Sequence, residues 1–422
     1  MTGRADLPVE RVRVAVVGGG PSGLTAAAAL AGRVDGEVRV IEREDTAGGI
    51  PRHSAHLGYG ARDLHRFVSG PSYARRLDEA AREAGASLHT QAQVTGWDGD
   101  RRLVVTSPRG RHVVEAEAIV LATGARERPR AARRIPGDRP EGVYTTGELQ
   151  NLVHLHHARV GRRAVVVGAE LVSWSAVLTL RGAGCRTAAM ISIHERPEAY
   201  RAFRWAGRLA LRPQVLTRSR VVRINGRHRV ESVLVEDIGT GTRTLVPCDT
   251  VVLTGDWIPD HELARSGGVT LDRSTLGPVV DSSLRTSIPG VYAVGNLLHP
   301  VDTADGAALD GRHVVDGVLA HLGDSASAPP AVELVASAPF RWVTPQRLVP
   351  AAPPPRDHLL LWPDAYRRLP VVRAVQDGRV LARRRLPWPA APGRIFRVPA
   401  DLVASATVGG GPVELGLEQG HR

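Results

Sequence analysis

The chain has 422 residues, 43% of them apolar, and a formal net charge of +12 at neutral pH. This length exceeds what one hydrophobic core supports, so we expect two or three domains in a globular protein. Every cationic side chain is arginine, and no helix-turn-helix, zinc-finger or RNA-binding signature accompanies the charge, so we expect no nucleic-acid partner.

Targeting and cysteine signals favour the cytoplasm. No apolar run approaches the ~18 residues that span a bilayer, and the polar start MTGRADLPVERV lacks a secretory segment. Cys185 and Cys248 are too far apart in the sequence to form a C-x-x-C motif, and two cysteines cannot supply a four-ligand metal site. We therefore expect a cytoplasmic protein with no membrane span and no metal centre.

Residues 11–42 predict a βαβ unit that holds a dinucleotide. A β-branched run leads directly into a G-x-G-x-x-G turn, and a helical stretch follows it. In such a turn Gly18 permits the tight bend, Gly20 admits a pyrophosphate, and Gly23 lets the helix pack closely on the strand. The phosphates are then expected at the N-terminus of that helix.

The same unit supplies two further kinds of ligand contact. Pro21 and Ser22 complete the glycine turn, so their backbone is expected beside the pyrophosphate. A second strand over residues 38–41 ends at Glu42, roughly 20 residues beyond the glycines. A carboxylate at that position accepts hydrogen bonds from the ribose hydroxyls of an adenosine.

The segment after this acid contains glycines and histidines. Arg43 and the pair Gly48 and Gly49 suit a backbone that passes close to a flat ligand. His53 and His56 come next, and a histidine beside a bound cofactor is a candidate base or proton relay, since its pKa lies near neutrality. The alternative is that both are surface or packing histidines.

The next elements complete the first half of a nucleotide-binding domain. We predict a helix over 77–86, a strand over 87–94 that places Val94 beside the adenine, and a hairpin over 103–115. A buried strand then stops at the small-residue turn Ala122-Thr123-Gly124.

A second βαβ unit begins at residue 164, but its turn lacks the G-x-G-x-x-G motif of a dinucleotide site. Glu170 and Ser173 stand where the second and third glycines belong. A carboxylate is favourable at a helix N-terminus, yet here it takes the position of an anionic phosphate, so like charges oppose ligand binding. We expect a lost or weakened NAD(P) site, and the alternative is an atypical site in which Arg196 or Arg201 contacts phosphate.

The chain then returns to the first domain. It crosses back through residues 251–256 and reaches a strand that ends at Gly295 and Asn296. A helix that begins at Thr303 would direct backbone N–H groups at a developing negative charge, and the alternative is that Thr303 is only a helix cap.

The C-terminal part has a different character. Residues 325–330 read as a linker, and the chain beyond them has short β-like runs with many prolines. We predict a hairpin over 371–386 and a further strand pair flanking 409–411. Residues 331–422 have a net charge of +6, half of the total. They form either a basic surface that binds an acidic partner or a solvated arginine-rich face.

Two βαβ units, an Ala-Thr-Gly turn between them and a late strand ending in Gly-Asn resemble the glutathione-reductase-like flavoproteins, over about residues 12–322. The resemblance implies FAD in the first unit and NAD(P)H in the second. Asn296 replaces the family's usual Asp but still offers a hydrogen bond to a ribityl hydroxyl. The expected FAD contacts are Gly18, Gly20, Pro21, Ser22, Gly23, Glu42, Arg43, Gly49, Val94, Ala122, Thr123, Gly124, Gly295, Asn296 and Thr303.

A closer similarity lies in residues 124–129, 135–137, 142–143 and 147–150, which look like the flavin subunits of opine and hydroxyproline dehydrogenases, hydrogen cyanide synthase and heterotetrameric sarcosine oxidase. This similarity implies a partner flavoprotein that oxidises an amine or amino acid. The redox cysteine pair of the disulfide reductases is absent, which excludes disulfide reduction. The iron–sulfur cysteines of some members are also absent, so any such cluster would be on another chain.

The leading hypothesis is an FAD-dependent oxidoreductase with an α/β fold of two Rossmann-like domains. Residues 1–125 and 275–325 would form the FAD domain, 126–274 the NAD(P)-like domain, and 326–422 a β-rich extension. The flavin would exchange electrons with a partner subunit or a small amine or hydroxy-acid substrate, with His53, His56 and Thr303 as candidate catalytic residues. The alternatives are an NAD(P)H-dependent flavin reductase feeding a separate acceptor, and a scaffold subunit with structural FAD.

Overall fold

The structure is a computed structural model that describes residues 7–196, 198–199, 213–323 and 329–418. Arg201, one of the two candidate phosphate contacts, and most of the expected linker lie outside these residues.

The first described elements belong to the N-terminal βαβ unit and its extension. In chain order they are β1 (Val9–Val17), α1 (Pro21–Ala31), β2 (Val38–Ile41), β3 (Leu57–Tyr59), β4 (Val68–Ser69), α2 (Gly70–Glu83), β5 (Ser87–His89), β6 (Gln93–Trp97), β7 (Arg102–Ser107) and β8 (Gly110–Leu121).

The middle elements belong to the second βαβ unit and its surroundings. They are β9 (Ala125–Glu127), β10 (Val143–Thr145), α3 (Thr146–His154), β11 (Arg163–Val167), α4 (Leu171–Gly182), β12 (Arg186–Ile191), β13 (Gln214–Leu216), β14 (Ser219–Asn225), β15 (Ser232–Asp237), β16 (Arg243–Pro247), β17 (Thr250–Leu253), β18 (Trp257–Pro259) and α5 (Glu262–Ser266).

The last elements return to the first domain and then form the C-terminal region. They are β19 (Val291–Ala293), α6 (Ala304–Leu322), β20 (Val332–Ala336), β21 (Phe340–Thr344), β22 (Arg347–Leu348), β23 (His358–Pro363), β24 (Val371–Gln376), β25 (Arg379–Arg385), β26 (Phe396–Pro399) and β27 (Val413–Leu417).

The first sheet has the order β5-β2-β1-β8-β7-β6, and β19 also pairs with β8. Strands β2, β1, β8 and β19 are parallel, and Val17 is in register with both Ile41 and Leu121. The carboxyl ends of these strands therefore meet at one edge, which is where ligands bind in open α/β sheets. Helix α6 packs on α1 so closely that a Cβ on Gly311 would lie 2.2 Å from the Ser22 carbonyl oxygen.

The second sheet is entirely parallel, with the order β10-β17-β11-β12-β13. A three-stranded antiparallel sheet, β14-β15-β16, lies beside it. The two-stranded ribbon β9-β18 joins the two parallel sheets, because β9 directly follows the first sheet and β18 directly follows β17.

The C-terminal region is β-rich as expected, with a five-stranded sheet β22-β20-β27-β24-β25 and a three-stranded sheet β21-β23-β26 around a separate apolar core. The predicted hairpin is present as β24 and β25, and Asp377 and Gly378 supply the positive φ angles that its turn needs. The strand pair expected to flank residues 409–411 is wrong. Among the described residues up to 418, β27 is the one strand that follows those glycines, and it pairs with β20 and β24 instead.

Two boundaries in the first domain also differ from the expectation. The helix predicted over 77–86 begins at Gly70, because Ser69 accepts a hydrogen bond from the Ser72 amide and caps it seven residues earlier. The strand predicted over 87–94 is divided into β5 and β6, which pair with different strands of the same sheet.

Candidate functional site

The first glycine turn forms a cradle that is open to an anion. Gly18 has φ +107°, and a Cβ there would lie 2.5 Å from the Ala122 carbonyl oxygen, so no larger residue fits. A Cβ on Gly23 would lie 2.0 Å from the Gly18 oxygen, which shows how closely α1 approaches β1. A Cβ on Gly20 would meet nothing within 4 Å. Free space therefore lies over Gly20, at the uncapped N-terminus of α1.

Glu42 is held rigidly at the end of β2. Its Oε2 accepts a hydrogen bond from the Gly19 amide at 2.7 Å, and its Oε1 accepts one from the Glu44 amide at 2.9 Å. The carboxylate is buried but lines the same cleft as the glycine turn. Each carboxylate oxygen has a further lone pair, so Glu42 fits the expected role of a ribose acceptor.

One cleft of about 1470 Å³ runs along these strand ends and gathers most of the expected FAD contacts and both histidines. Two glycines are outside its lining and act through packing. Gly23 has the helix contact described above, and a Cβ on Gly295 would lie 2.6 Å from the Ser22 hydroxyl. The expected residues in the lining are Gly18, Gly20, Pro21, Ser22, Glu42, Arg43, Gly49, His53, His56, Val94, Ala122, Thr123, Gly124, Asn296 and Thr303.

Three of these side chains are already engaged within the protein. Asn296 exchanges two hydrogen bonds of 3.1 Å with the backbone of Asp302, so it shapes the loop before α6 and keeps one donor and one acceptor position for a ligand. The Thr123 hydroxyl donates to the Asp260 carbonyl at 2.8 Å. Arg43 lies 3.4 Å from the Asp260 carboxylate and so faces the segment after β18.

The two histidines differ in their chemistry. Burial, assisted by the charges of Arg52 and His154, lowers the pKa of His53 to about 4, so its ring is neutral at physiological pH. His56 Nδ1 donates to the Leu57 carbonyl at 2.8 Å, which leaves Nε2 as the acceptor for the Ser54 hydroxyl at 3.0 Å. His56 is thus hydrogen-bonded through both ring nitrogens.

Thr303 is the N-cap residue of α6, which begins one residue later than expected, at Ala304, and the Thr303 amide donates to the Asp302 carboxylate at 2.8 Å. Its hydroxyl donates to Asp305 and accepts from Arg62 at 2.6 Å. The threonine side chain is therefore fixed by protein partners. Of the first amides of α6, Gly306 donates to Asp305 and Ala307 donates to the Thr303 carbonyl, so the amides of Ala304 and Asp305 are the ones left without a partner among the described residues.

The structure adds an ion cluster that the sequence reasoning missed. Asp302 is fully buried between Arg397 at 2.8 Å, Arg62 at 3.4 Å and Arg356 at 3.6 Å. Burial by itself raises the pKa of Asp302, but Arg397, His299 and the other two arginines outweigh it and lower the pKa to about 2. Two of these arginines come from the C-terminal region, and no local motif marks such long-range pairs.

The second glycine turn is filled by side chains. Glu170 is the N-cap residue of α4. A Cβ on Gly168 would lie 1.9 Å from the Thr254 hydroxyl and 2.7 Å from both Glu170 Oε2 and Ser173 Oγ. Ser173 and Thr254 are hydrogen-bonded to each other at 2.7 Å. The space over this turn therefore contains a carboxylate and two hydroxyls.

Glu198 and the chain at Gly393, in the C-terminal region, cover the second glycine turn. A Cβ on Gly393 would lie 2.5 Å from the Glu198 Cβ and 3.3 Å from the Glu170 Cβ, so the chain at Gly393 rests on both acids. Burial, followed by the charge of Glu170, raises the pKa of Glu198 to about 7. Arg196 stacks on Tyr366 of the C-terminal region, 4.6 Å from the ring centre.

Other site types find no support in the part of the chain that the structure covers. Among those residues, no three histidine, cysteine or acidic side chains are arranged to hold a metal ion. Of the helices seen there, none has the length and hydropathy to cross a bilayer. Cys185 and Cys248 are both buried and unbonded, and burial raises the pKa of each thiol, to about 11 and about 12.

The sequence profile of the pyridine nucleotide-disulphide oxidoreductases matches residues 12–311. The chain belongs to this family. The expected FAD-dependent oxidoreductase family is thereby confirmed. Among solved structures of similar shape, the thioredoxin reductase of T. acidophilum superposes with a TM-score of 0.63 at 21% identity, covering 75% of this chain and 99% of that one. This likeness confirms the two-domain Rossmann fold.

Two curated relatives are each 28% identical to this chain. The benzene 1,2-dioxygenase system ferredoxin–NAD(+) reductase subunit of Pseudomonas putida aligns over 295 residues, which are 67% of this chain and 66% of that protein. An opine oxidase subunit of Agrobacterium tumefaciens aligns over 346 residues, or 73% and 64%. The chain thus spans about two thirds of the length of these relatives, each of which is named as a subunit.

Proposed function

We propose that the protein is an FAD-dependent oxidoreductase whose flavin exchanges electrons with a partner subunit or with a small amine or hydroxy-acid substrate, without bound NAD(P)H. The observation that carries this proposal is the contrast between the two glycine turns. The first leaves open space over Gly20, whereas the second contains Glu170 and is covered by Gly393.

Electrostatics supports the same contrast. A pyrophosphate at the second turn would meet the Glu170 carboxylate at the helix N-terminus, and a like charge in a partly buried site opposes an anion. It would also have to displace the chain at Gly393. The first turn has no such acid over Gly20, because the Glu42 carboxylate is tied to backbone amides at the position of a ribose rather than a phosphate.

In this proposal FAD is held by Gly18, Gly20 and the N-terminus of α1 at its pyrophosphate, and by Glu42 at its adenosine ribose. The bound flavin supplies reversible two-electron chemistry. Ala304 and Asp305 offer backbone N–H donors at the start of α6, and His56 with Ser54 moves a proton at the cleft wall. The neutral His53 ring is a wall residue rather than a base, since its pKa is too low for a base near pH 7.

Anaerobic titration of the FAD-loaded protein with NADH and NADPH tests the proposal. We expect the flavin absorbance near 450 nm, a general property of oxidised flavin, to remain after micromolar additions of either nucleotide. A chemical reductant added afterwards provides the control that the flavin is reducible. Rapid bleaching by either nucleotide would overturn the proposal.

The same titration separates the second candidate, an NAD(P)H-dependent flavin reductase that feeds another acceptor. This candidate is favoured by the relatives named as ferredoxin–NAD(+) and ferredoxin–NADP reductases. Against it stands the acidic, covered second turn described above.

The partner is proposed in the same terms. Both relatives described above are subunits of larger systems, which supports a redox partner subunit. The net charge of +6 on residues 331–422 supports an acidic surface on that partner.

A cytoplasmic location is supported by the two unbonded cysteines, since free thiols are typical of reducing compartments. The division into the four segments given above is likewise proposed.

A further inference from the structure

The open end of the hairpin β24-β25 presents a basic and aromatic surface. The segment before β24 and the segment after β25 continue side by side. The Leu386 amide donates to the Pro370 carbonyl at 2.9 Å, and Arg367 and Ala390 exchange backbone hydrogen bonds of 2.8 and 3.0 Å. Leu369, 46% exposed, and Trp388, 39% exposed, both lie within these paired segments. The docking patch is defined here as Arg367, Arg368, Leu369, Arg385 and Trp388, all of them exposed.

The charge of this patch is not balanced by the protein. Neighbouring arginines of β25 have acidic partners, since Arg384 pairs with Asp401 at 2.7 Å and Arg383 pairs with Glu418 at 3.2 Å. For Arg367, Arg368 and Arg385, no carboxylate lies within 4.0 Å anywhere in the described ranges. Three exposed guanidinium groups without a carboxylate partner in the described residues thus lie on the same paired segments as two exposed apolar side chains, and the Arg367 group donates only to the Tyr366 carbonyl, at 3.0 Å.

This composition is typical of the centre of a protein interface, where tryptophan and arginine contribute most of the binding energy. The sign of the charge selects the occupant. A second copy of this chain would place arginine against arginine, which opposes self-association. A partner with carboxylates at the matching positions would be attracted and oriented before contact.

The patch is also connected to the cleft. The Trp388 indole N–H donates to the Arg397 carbonyl at 3.1 Å, and the Arg397 guanidinium donates to the Asp302 carboxylate at 2.8 Å. That same carboxylate oxygen accepts the amide of Thr303, which lines the cleft at the start of α6. Only Arg397 and Asp302 thus separate the exposed indole from Thr303 in this series of hydrogen bonds.

We propose that this patch is the docking surface for an acidic protein partner, with Trp388 as its apolar anchor and Arg368 and Arg385 as its charge contacts. The inference rests on the proposed function only in taking this partner to be the redox partner of the flavin. The short connection to Thr303 gives a reason for docking at this place, because electron exchange requires the two redox centres to be close.

Binding of a plant-type [2Fe–2S] ferredoxin, a small acidic protein, to the immobilised FAD-loaded chain tests the proposal. We expect micromolar binding at low salt that weakens steeply between about 20 and 200 mM NaCl, because exposed charges are screened. The Trp388→Ala change and the double change Arg368→Glu with Arg385→Glu should each weaken binding by about tenfold or more. Cytochrome c, a small basic protein, should not bind.

The matched control is Arg109→Glu with Arg111→Glu, which changes the net charge equally on the exposed hairpin of β7 and β8, in the first domain. This control should bind the ferredoxin within about twofold of the wild type. Thermal unfolding of every variant checks that the fold is retained.

The outcomes distinguish this proposal from the function itself. Equal binding by the wild type and the patch variants, or no ferredoxin binding at low salt, would overturn the docking surface even if nucleotides fail to reduce the flavin. Equally strong binding of duplex DNA or phosphatidylglycerol vesicles through the same residues would contradict a protein partner. Reduction by NADH with normal ferredoxin docking would overturn only the proposed function.

Discussion

Replacing Asp302 by Asn should strongly destabilise the contact between the C-terminal region and the first domain. The folded-state pKa of about 2 lies below the ordinary 3.8. The ionised carboxylate therefore stabilises the fold above about pH 4, and this contribution is lost as the pH falls through about 2. The shift corresponds to about 2 kcal/mol. Removing one member of a buried ion cluster typically costs about 3 to 5 kcal/mol, because its partners remain buried and unpaired.

Urea unfolding at pH 7, followed by circular dichroism and by tryptophan fluorescence, measures this loss. Trp342 and Trp362 stack near this cluster, at 6.0 Å between ring centres, so the fluorescence reports on the same region. The control is Asp364→Asn, because the Asp364–Arg341 pair is solvent-exposed. Exposed pairs contribute about 0 to 1 kcal/mol. A loss below about 1 kcal/mol for Asp302→Asn, or one equal to the control, would refute the reasoning.

Two further predictions concern Glu42 and Glu198, which both line the cleft. Glu42→Ala removes the acceptor of the Gly19 and Glu44 amides and should weaken FAD binding at least tenfold, or about 1.4 kcal/mol, in a fluorescence titration of the apoprotein; an unchanged Kd would contradict the ribose assignment. The pKa of Glu198 in the folded protein is about 7, above its ordinary 4.5. The protonated side chain therefore stabilises the fold fully below about pH 4.5, and this stabilisation is lost as the pH rises through about 7. Glu198→Gln should therefore stabilise the protein at pH 8 by up to about 3 kcal/mol and have little effect at pH 4.5, and urea midpoints that shift equally at both values would contradict this.

The first glycine turn could be predicted from the sequence because its geometry is local. Gly18, Gly20 and Gly23 lie within six residues, and each has the contact or the open space that its place in the motif requires. Glu42 could also be predicted, since the parallel register of β1 and β2 fixes where the second strand ends. Backbone sterics and strand pairing decide both features.

The position of Gly393 over the second glycine turn could not be predicted from the sequence. The substitution of Glu170 for a glycine is visible in the sequence, but the approach of Gly393 depends on how a separate β-rich region packs more than 200 residues later in the chain. The pairing of Arg397 with Asp302 is equally non-local. In a chain with 55 arginines and 43 acids, composition alone does not indicate which pairs form.

The most direct test of the central claim is FAD binding by the Gly20→Val variant. Gly20 has an ordinary backbone conformation, and a Cβ there meets no protein atom within 4 Å, so the fold should tolerate valine. The added side chain would occupy the proposed pyrophosphate space. Gly32→Val, at the opposite end of α1 and equally unobstructed, is the matched control.

We predict that the wild type and Gly32→Val bind FAD with similar affinity, whereas Gly20→Val has a normal melting temperature without FAD and binds the cofactor at least about 100-fold more weakly, or about 2.7 kcal/mol. Equal FAD affinity in all three proteins, or no flavin binding by the wild type, would contradict the account.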